Sequence, residues 1–315
     1  MLDNHWNIFD NDYYTLKNTD GSLHNFRRNG LSNMLETGLP KSERFFHIKN
    51  KILYNDYNDV EINDIIKRYD ELTTYCEKNF VNNLIECDIG NPRKYIYNNI
   101  KLNFDDLYHI YSTWQISRTI NELNLNINTI VEIGGGYGNL CNKLINLFDG
   151  IRYVIIDIPE VLDLQHFYLS KTKKNCRIIY FDNDYTSEKE YDILLVPYNK
   201  YHLLNINFDI VINCRSFGEM RLNVLHDYFN WIQKNINTDG IMYCINRYIF
   251  TPGEDKCSIR DYNLDSKWKI IISQPTWLQT HLHELILQRC KIPMINPKFW
   301  LKSFPLRSPP PGPIM

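Results

Sequence analysis

The 315-residue chain has room for one large domain or two modest ones. Its 35 basic and 37 acidic residues nearly cancel and form no basic block, so no nucleic-acid partner is expected. The N-terminus lacks an apolar signal core and no stretch is long enough to span a bilayer, which leads us to expect a cytoplasmic protein without a membrane span. Eight scattered cysteines, none paired as Cys-x-x-Cys, read as reduced core residues, with neither a disulfide frame nor a metal site.

Residues 1–104 read as a mainly helical extension or lid. Within it, Ile62, Ile65, Ile66 and Tyr69 fall at helical spacing, and Gly90-Asn91-Pro92 marks a turn. A helix is expected from about Phe104 to Leu123, capped by Asn103, with Asp105 and Asp106 favoured by the helix dipole. Tyr108, Tyr111 and Trp114 on that helix read first as core aromatics.

From Thr129 strands alternate with helices. Runs at 129–133, 152–157, 177–181, 208–214 and 240–246 are apolar at nearly every position, as strands buried on both faces require. Two more strands, 267–273 and 284–289, follow without an intervening helix and suit a terminal antiparallel pair. The expected fold is α/β, a doubly wound, mostly parallel seven-stranded Rossmann-like sheet over residues 105–305. Residues 306–315 read as a flexible proline-rich tail.

The first strand runs into Glu132-Ile133-Gly134-Gly135-Gly136-Tyr137-Gly138, and Asp157 ends the next strand 23 positions beyond Gly134. Glycine permits a sharp strand-to-helix turn and close approach of a ligand to the backbone. A carboxylate at Asp157 suits the two ribose hydroxyls of an adenosine. The dinucleotide pattern Gly-x-Gly-x-x-Gly/Ala fails, because Asn139 or Cys141 stands where the third small residue belongs. With Glu132 suited to a cationic ligand, S-adenosylmethionine is the expected cofactor; a glycine turn that binds nothing is the bland alternative.

Val131–Leu140 resembles the first motif of class I S-adenosylmethionine-dependent methyltransferases. Ile156–Glu160 with Leu164–Leu169, Asn213–Met220 and His283–Leu287 resemble more narrowly the sugar O-methyltransferase family, over roughly residues 90–290. The resemblance implies that Glu132, Gly134 and Gly136 border the cofactor's methionine part, Asp157 its ribose and Ile158 its adenine, with Tyr137 of the same turn also binding the cofactor. Asn213 and Ser216 would close the cofactor site on the substrate side, and Pro197-Tyr198-Asn199 would belong to the adenine wall. It also implies transfer of a methyl group to a hydroxyl of a sugar, nucleotide-linked or within a glycan.

A sugar hydroxyl needs a general base within hydrogen-bond reach. Glu219 is the first candidate, read as opening a helix that runs to about Ile232, where the dipole alone would also favour it. His283 is the second; it shares a strand face with His281 in this reading, and a satisfied strand-end histidine is its bland alternative. Trp277 and Trp300 are sugar-stacking or packing residues. A methyltransferase of another small molecule or of RNA, and a non-catalytic binding protein, stay open, as does a homo-oligomer.

Overall fold

The computed structural model describes residues 23–28, 53, 55–85, 88–181, 190–250, 257–277 and 279–293; Trp300 and the proline-rich tail lie outside them. The chain divides into two compact units that interleave along the sequence. One comprises residues up to Glu122 with Gly136–Asp149 and Pro159–Cys176; the other comprises Leu123–Gly135, Gly150–Ile158 and the chain from Arg177 on. Among the described residues no helix is long and apolar enough to cross a membrane.

After a short 3-10 turn at Leu23–Asn25, the first unit has α1 (Asp59–Tyr75), whose start is fixed by a capping box. The Asn58 side chain accepts from the amides of Val60 and Glu61, and Glu61 in turn accepts from the Asn58 amide. Ile65 and Tyr69 are buried, as their spacing predicts, and Leu72 extends the stripe; Ile62 and Ile66 are half-buried. After α2 (Lys78–Leu84), β1 (Tyr95–Tyr97) and β2 (Ile100–Leu102) make a hairpin. Its turn residues Asn98 and Asn99 have φ of +50° and +65°, the mirror-turn geometry that matches strand twist.

Asn103 then caps α3 (Phe104–Glu122), accepting from the amides of Asp105 at 2.9 Å and Asp106 at 3.2 Å. The two aspartates do more than complement the helix dipole, because both side chains are buried. Asp106 pairs with Lys143 of α4 (Asn139–Leu147) at 2.7 Å, and Asp105 accepts from the Tyr137 hydroxyl. Helix α5 (Pro159–Thr172) adds Tyr168, whose hydroxyl bridges the amides of Asn139 and Asn142. The core of this unit is thus polar and aromatic together, and each buried polar group named here has a partner, as burial demands.

The second unit holds the expected mostly parallel sheet. Its strands are β3 (Thr129–Ile133), β4 (Arg152–Asp157), β5 (Ile178–Tyr180), β6 (Ile193–Pro197), β7 (Phe208–Cys214), β8 (Ile236–Arg247), β11 (Trp268–Pro275) and β12 (Leu282–Arg289). A separate short ladder joins β9 (Ile249–Phe250) and β10 (Cys257–Ser258). The sheet order is β11-β12-β8-β7-β3-β4-β6-β5. Strands β5, β6, β4, β3, β7 and β8 run parallel, and β12 and β11 follow as the expected antiparallel pair. The sheet has eight strands rather than seven. The addition is β6, whose apolar run Ile193–Val196 is buried between β4 and the edge strand β5.

On one sheet face Val131, Ile133, Val154, Ile156, Val211, Met242 and Leu285 share a core with Leu225, Phe229 and Ile232 of α6 (Leu222–Asn235). Those three recur at the spacing of one helix face. Each such side chain contributes about 1.5–3 kcal/mol by leaving water. The opposite face carries two buried carboxylates, each bonded to a tyrosine of a neighbouring strand. Tyr153 donates to Glu132 at 2.9 Å and Tyr243 to Glu284 at 3.1 Å.

Candidate functional site

In the second unit the strand order reverses at β3: the chain lays β4 beside β3, then β5 at the edge and β6 between β4 and β5, and returns to lay β7 on the other side of β3. Ligands of open α/β sheets bind at the carboxyl ends of the strands flanking such a reversal. Here those ends are Ile133-Gly134 and Asn213–Ser216.

Gly134 turns the chain with φ +74° while its amide still donates to Ile156 O at 2.9 Å. A side chain at Gly134 would overlap Ser216 Oγ and Cβ, so glycine here is demanded by conformation and by space. Ser216 Oγ donates to Ile133 O at 3.0 Å, and Asn213 Nδ2 donates to the same carbonyl at 2.8 Å and to Ser216 Oγ. The structure therefore brings together three of the residues that the sequence singles out: Gly134, Asn213 and Ser216.

A residue that sequence reasoning missed completes this cluster. Asn246, fully buried on β8, donates through Nδ2 to Asn213 Oδ1 at 2.8 Å and accepts the Gly218 amide on Oδ1 at 3.0 Å. Asn213 Oδ1 also accepts from the Phe217 amide at 3.1 Å. The two asparagines thereby fix the 215–219 segment, in which Arg215 holds φ +75°, a costly value for a residue with a side chain. The signal was available: Asn213 and Asn246 are each a polar residue near the end of an otherwise apolar strand.

Asp157 closes β4 next to β3, half-buried, with Oδ1 accepting from the Ile158 amide at 2.9 Å. Its backbone carbonyl accepts from the Tyr198 amide at 2.8 Å, which places the Pro197–Tyr198 segment beside it. Glu132 is buried, and its carboxylate lies against Gly135: a side chain there would come within 3.2 Å of Oε2. Gly136 and Tyr137 belong to the first unit. Gly136 has φ +55° and open space where a side chain would project. The Tyr137 ring is buried in aromatic packing, so what it offers a ligand is its backbone, not its side chain.

Glu219 does not open α6. It ends a 3-10 turn, Phe217–Glu219, its amide bonded to Ser216 O at 3.0 Å; α6 begins at Leu222 after Arg221. Its side chain is exposed, three residues from Ser216. His283 pairs across the ladder with Asn246, shares a hydrogen bond with Ser273 Oγ through Nε2 at 2.9 Å, and packs edge-on to Tyr248 at 5.1 Å. His281 precedes β12, which starts at Leu282, so the two histidines do not alternate along one strand.

Burial lowers the His283 pKa from the usual 6.5 to about 4. Between those values the unfolded chain binds the extra proton, so stability rises with pH through this window and is lost as pH falls through it. Acid unfolding should show a loss between pH 6.5 and 4, of order 3 kcal/mol at most. His283→Gln should remove that slope, as read from urea midpoints at pH 7 and pH 5; an unchanged slope would mean that His283 is solvated.

No family model matches the chain, and no curated protein matches it. Among solved structures it is similar to the mitomycin 7-O-methyltransferase MmcR, with 12% identity over 59% of this chain and a TM-score of 0.36. The chain spans 58% of that protein's length. It is also similar to an S-adenosylmethionine-dependent methyltransferase from Clostridium acetobutylicum, with 12% identity over 59% of this chain and 99% of that one, at a TM-score of 0.41. The glycopeptide N-methyltransferase MtfA, complexed with sinefungin, matches at 10% identity over 56% of this chain and 82% of its own, at a TM-score of 0.38.

Proposed function

We propose that this protein binds S-adenosylmethionine at the carboxyl edge of its sheet and transfers the methyl group to a hydroxyl of a sugar, nucleotide-linked or within a glycan. The observation that carries the cofactor is the left-handed Gly134 turn at the strand-order reversal, with Asp157 closing the adjacent strand. The acidic residues Glu132 and Asp157, on the two strands beside the Gly134 turn, suit a cationic adenosyl ligand. The sugar acceptor rests on the family resemblance of the sequence.

When bound, the cofactor supplies a methyl group activated by its sulfonium. Asp157 would hold the ribose hydroxyls, Ile158 would lie against the adenine, and Glu132 with Gly134 would border the methionine part. Asn213 and Ser216 keep the rim of the site in shape. Glu219, exposed on the adjoining turn, would take the proton of the acceptor hydroxyl. His283, neutral at physiological pH, accepts or donates a hydrogen bond without carrying charge.

Calorimetric titration with adenosylmethionine tests the cofactor, and absence of binding removes the enzymatic reading. With a panel of nucleotide-sugars as acceptors, Glu219→Gln is expected to bind the cofactor normally and lose about 10²–10⁴-fold in turnover. Full turnover in that variant excludes Glu219 as the base.

A further inference from the structure

The second half of the glycine turn lies in the first unit, where Tyr137 stands between two left-handed glycines, Gly136 at φ +55° and Gly138 at φ +97°. Glycines resist little when their backbone changes shape, so this stretch takes its rigidity from side-chain anchors. Tyr137 is 1% exposed, and its hydroxyl donates to Asp105 Oδ2 at 2.7 Å. Its ring meets Phe26 at 5.3 Å and Tyr168 at 4.9 Å, with the Arg27 guanidinium 5.0 Å from its centre. His109 Nδ1 lies 3.3 Å from the same Asp105 oxygen.

Each anchor is itself held. Arg27, fully buried, donates from Nη2 to Asn103 Oδ1 at 3.1 Å, and its amide donates to Gly90 O at 2.9 Å. On the far side of the turn, Gln165 Nε2 donates to Gly136 O at 2.8 Å. Residues separated by more than a hundred positions thus converge on one tyrosine whose hydroxyl no ligand can reach.

We propose that Tyr137 is a positioning residue: gripped by Asp105 and Arg27, it preorganises the Gly136–Gly138 backbone for adenosylmethionine and ties the Phe26–Arg27 segment to that stretch. This rests on the function proposed above. A turn already in its bound shape spares the ligand the cost of ordering it, so the anchor acts on affinity without touching the ligand.

Tyr137→Phe keeps the ring and deletes the hydroxyl. It is expected to weaken adenosylmethionine binding about ten-fold in calorimetry, the equivalent of one lost net hydrogen bond. In the ligand-free protein, hydrogen exchange of the Gly136–Asn139 amides should speed up by a similar factor. Ile65→Val, a core change on α1 in the same unit, should leave both readouts within about two-fold of the parent despite lowering stability. If Tyr137→Phe does not fold, Arg27→Lys, which keeps the charge and loses the planar stack, should give about a three-fold loss. Parental affinity and parental exchange in these variants overturn the proposal, and so does an equal effect from Ile65→Val. If the parent protein does not bind adenosylmethionine, the function proposed above falls and this proposal falls with it.

Discussion

Replacing Lys143 with methionine is expected to destabilise the protein by about 3–5 kcal/mol, because it strands a buried carboxylate without its cation. Lys143 is 1% exposed, with Nζ 2.7 Å from Asp106 Oδ1 and 2.6 Å from Leu84 O. Burial alone would push the Asp106 carboxyl up. The charges of Lys143 and Arg27, with hydrogen bonds from Lys143 and Asn139, nevertheless hold it below the usual carboxylate value. A lowered carboxyl stabilises the fold above its unfolded pKa of about 3.9, and that contribution is lost as pH falls through the folded value. The double variant Lys143→Met with Asp106→Leu should recover at least half of the loss, since an apolar pair replaces a buried ion pair at little net cost. Urea unfolding at pH 7 measures both. A single-variant loss below about 1 kcal/mol would mean that water reaches the pair.

Gly134→Ala is the second large effect. The added Cβ costs about 1–2 kcal/mol at φ +74° from backbone sterics alone, and it also overlaps Ser216. The turn must shift, and we expect a stability loss of about 2–4 kcal/mol with at least a hundred-fold weaker adenosylmethionine binding. Ser216→Gly in the same chain clears the overlap but not the backbone cost, so it should restore stability only in part. A Gly134→Ala protein that melts and binds like the parent would place the strand-order reversal outside the site.

Much of the fold was legible because local signals and tertiary needs agreed. Asn103 before an acidic first turn marks the start of α3, and doubly apolar runs mark β3, β4, β7 and β8. The paired runs after residue 266 form the antiparallel end of the sheet. Strand β6 escaped because Ile193–Val196 is a short apolar run ending in proline, which periodicity alone does not assign.

In the candidate site, the glycines and Asp157 were readable from spacing, since their backbone roles are local. Asn246 shows in sequence only as a polar residue near the end of an apolar strand; its partners lie 28 and 33 residues away, so its role there is set by the fold. Asp105 and Asp106 looked like ordinary first-turn acids; their burial depends on Tyr137 and Lys143, which only the folded chain supplies. Glu219 lies in a turn ahead of the helix because the Asn213 and Asn246 side chains hold the Phe217 and Gly218 amides there, a long-range effect that the local sequence does not announce.

The interleaving of the two units has a consequence for how the chain can be divided. It passes from one unit to the other at 122/123, 135/136, 149/150, 158/159 and 176/177. No contiguous fragment contains either unit whole without segments of the other. A piece starting at residue 104 would keep Lys143 and Asp106 but lose Leu84 O and Arg27, leaving a partly satisfied ionic core. Fragments cut at such points should dissolve poorly alone and regain structure only when co-expressed, so genetic complementation between two halves is a more suitable probe of this protein than truncation.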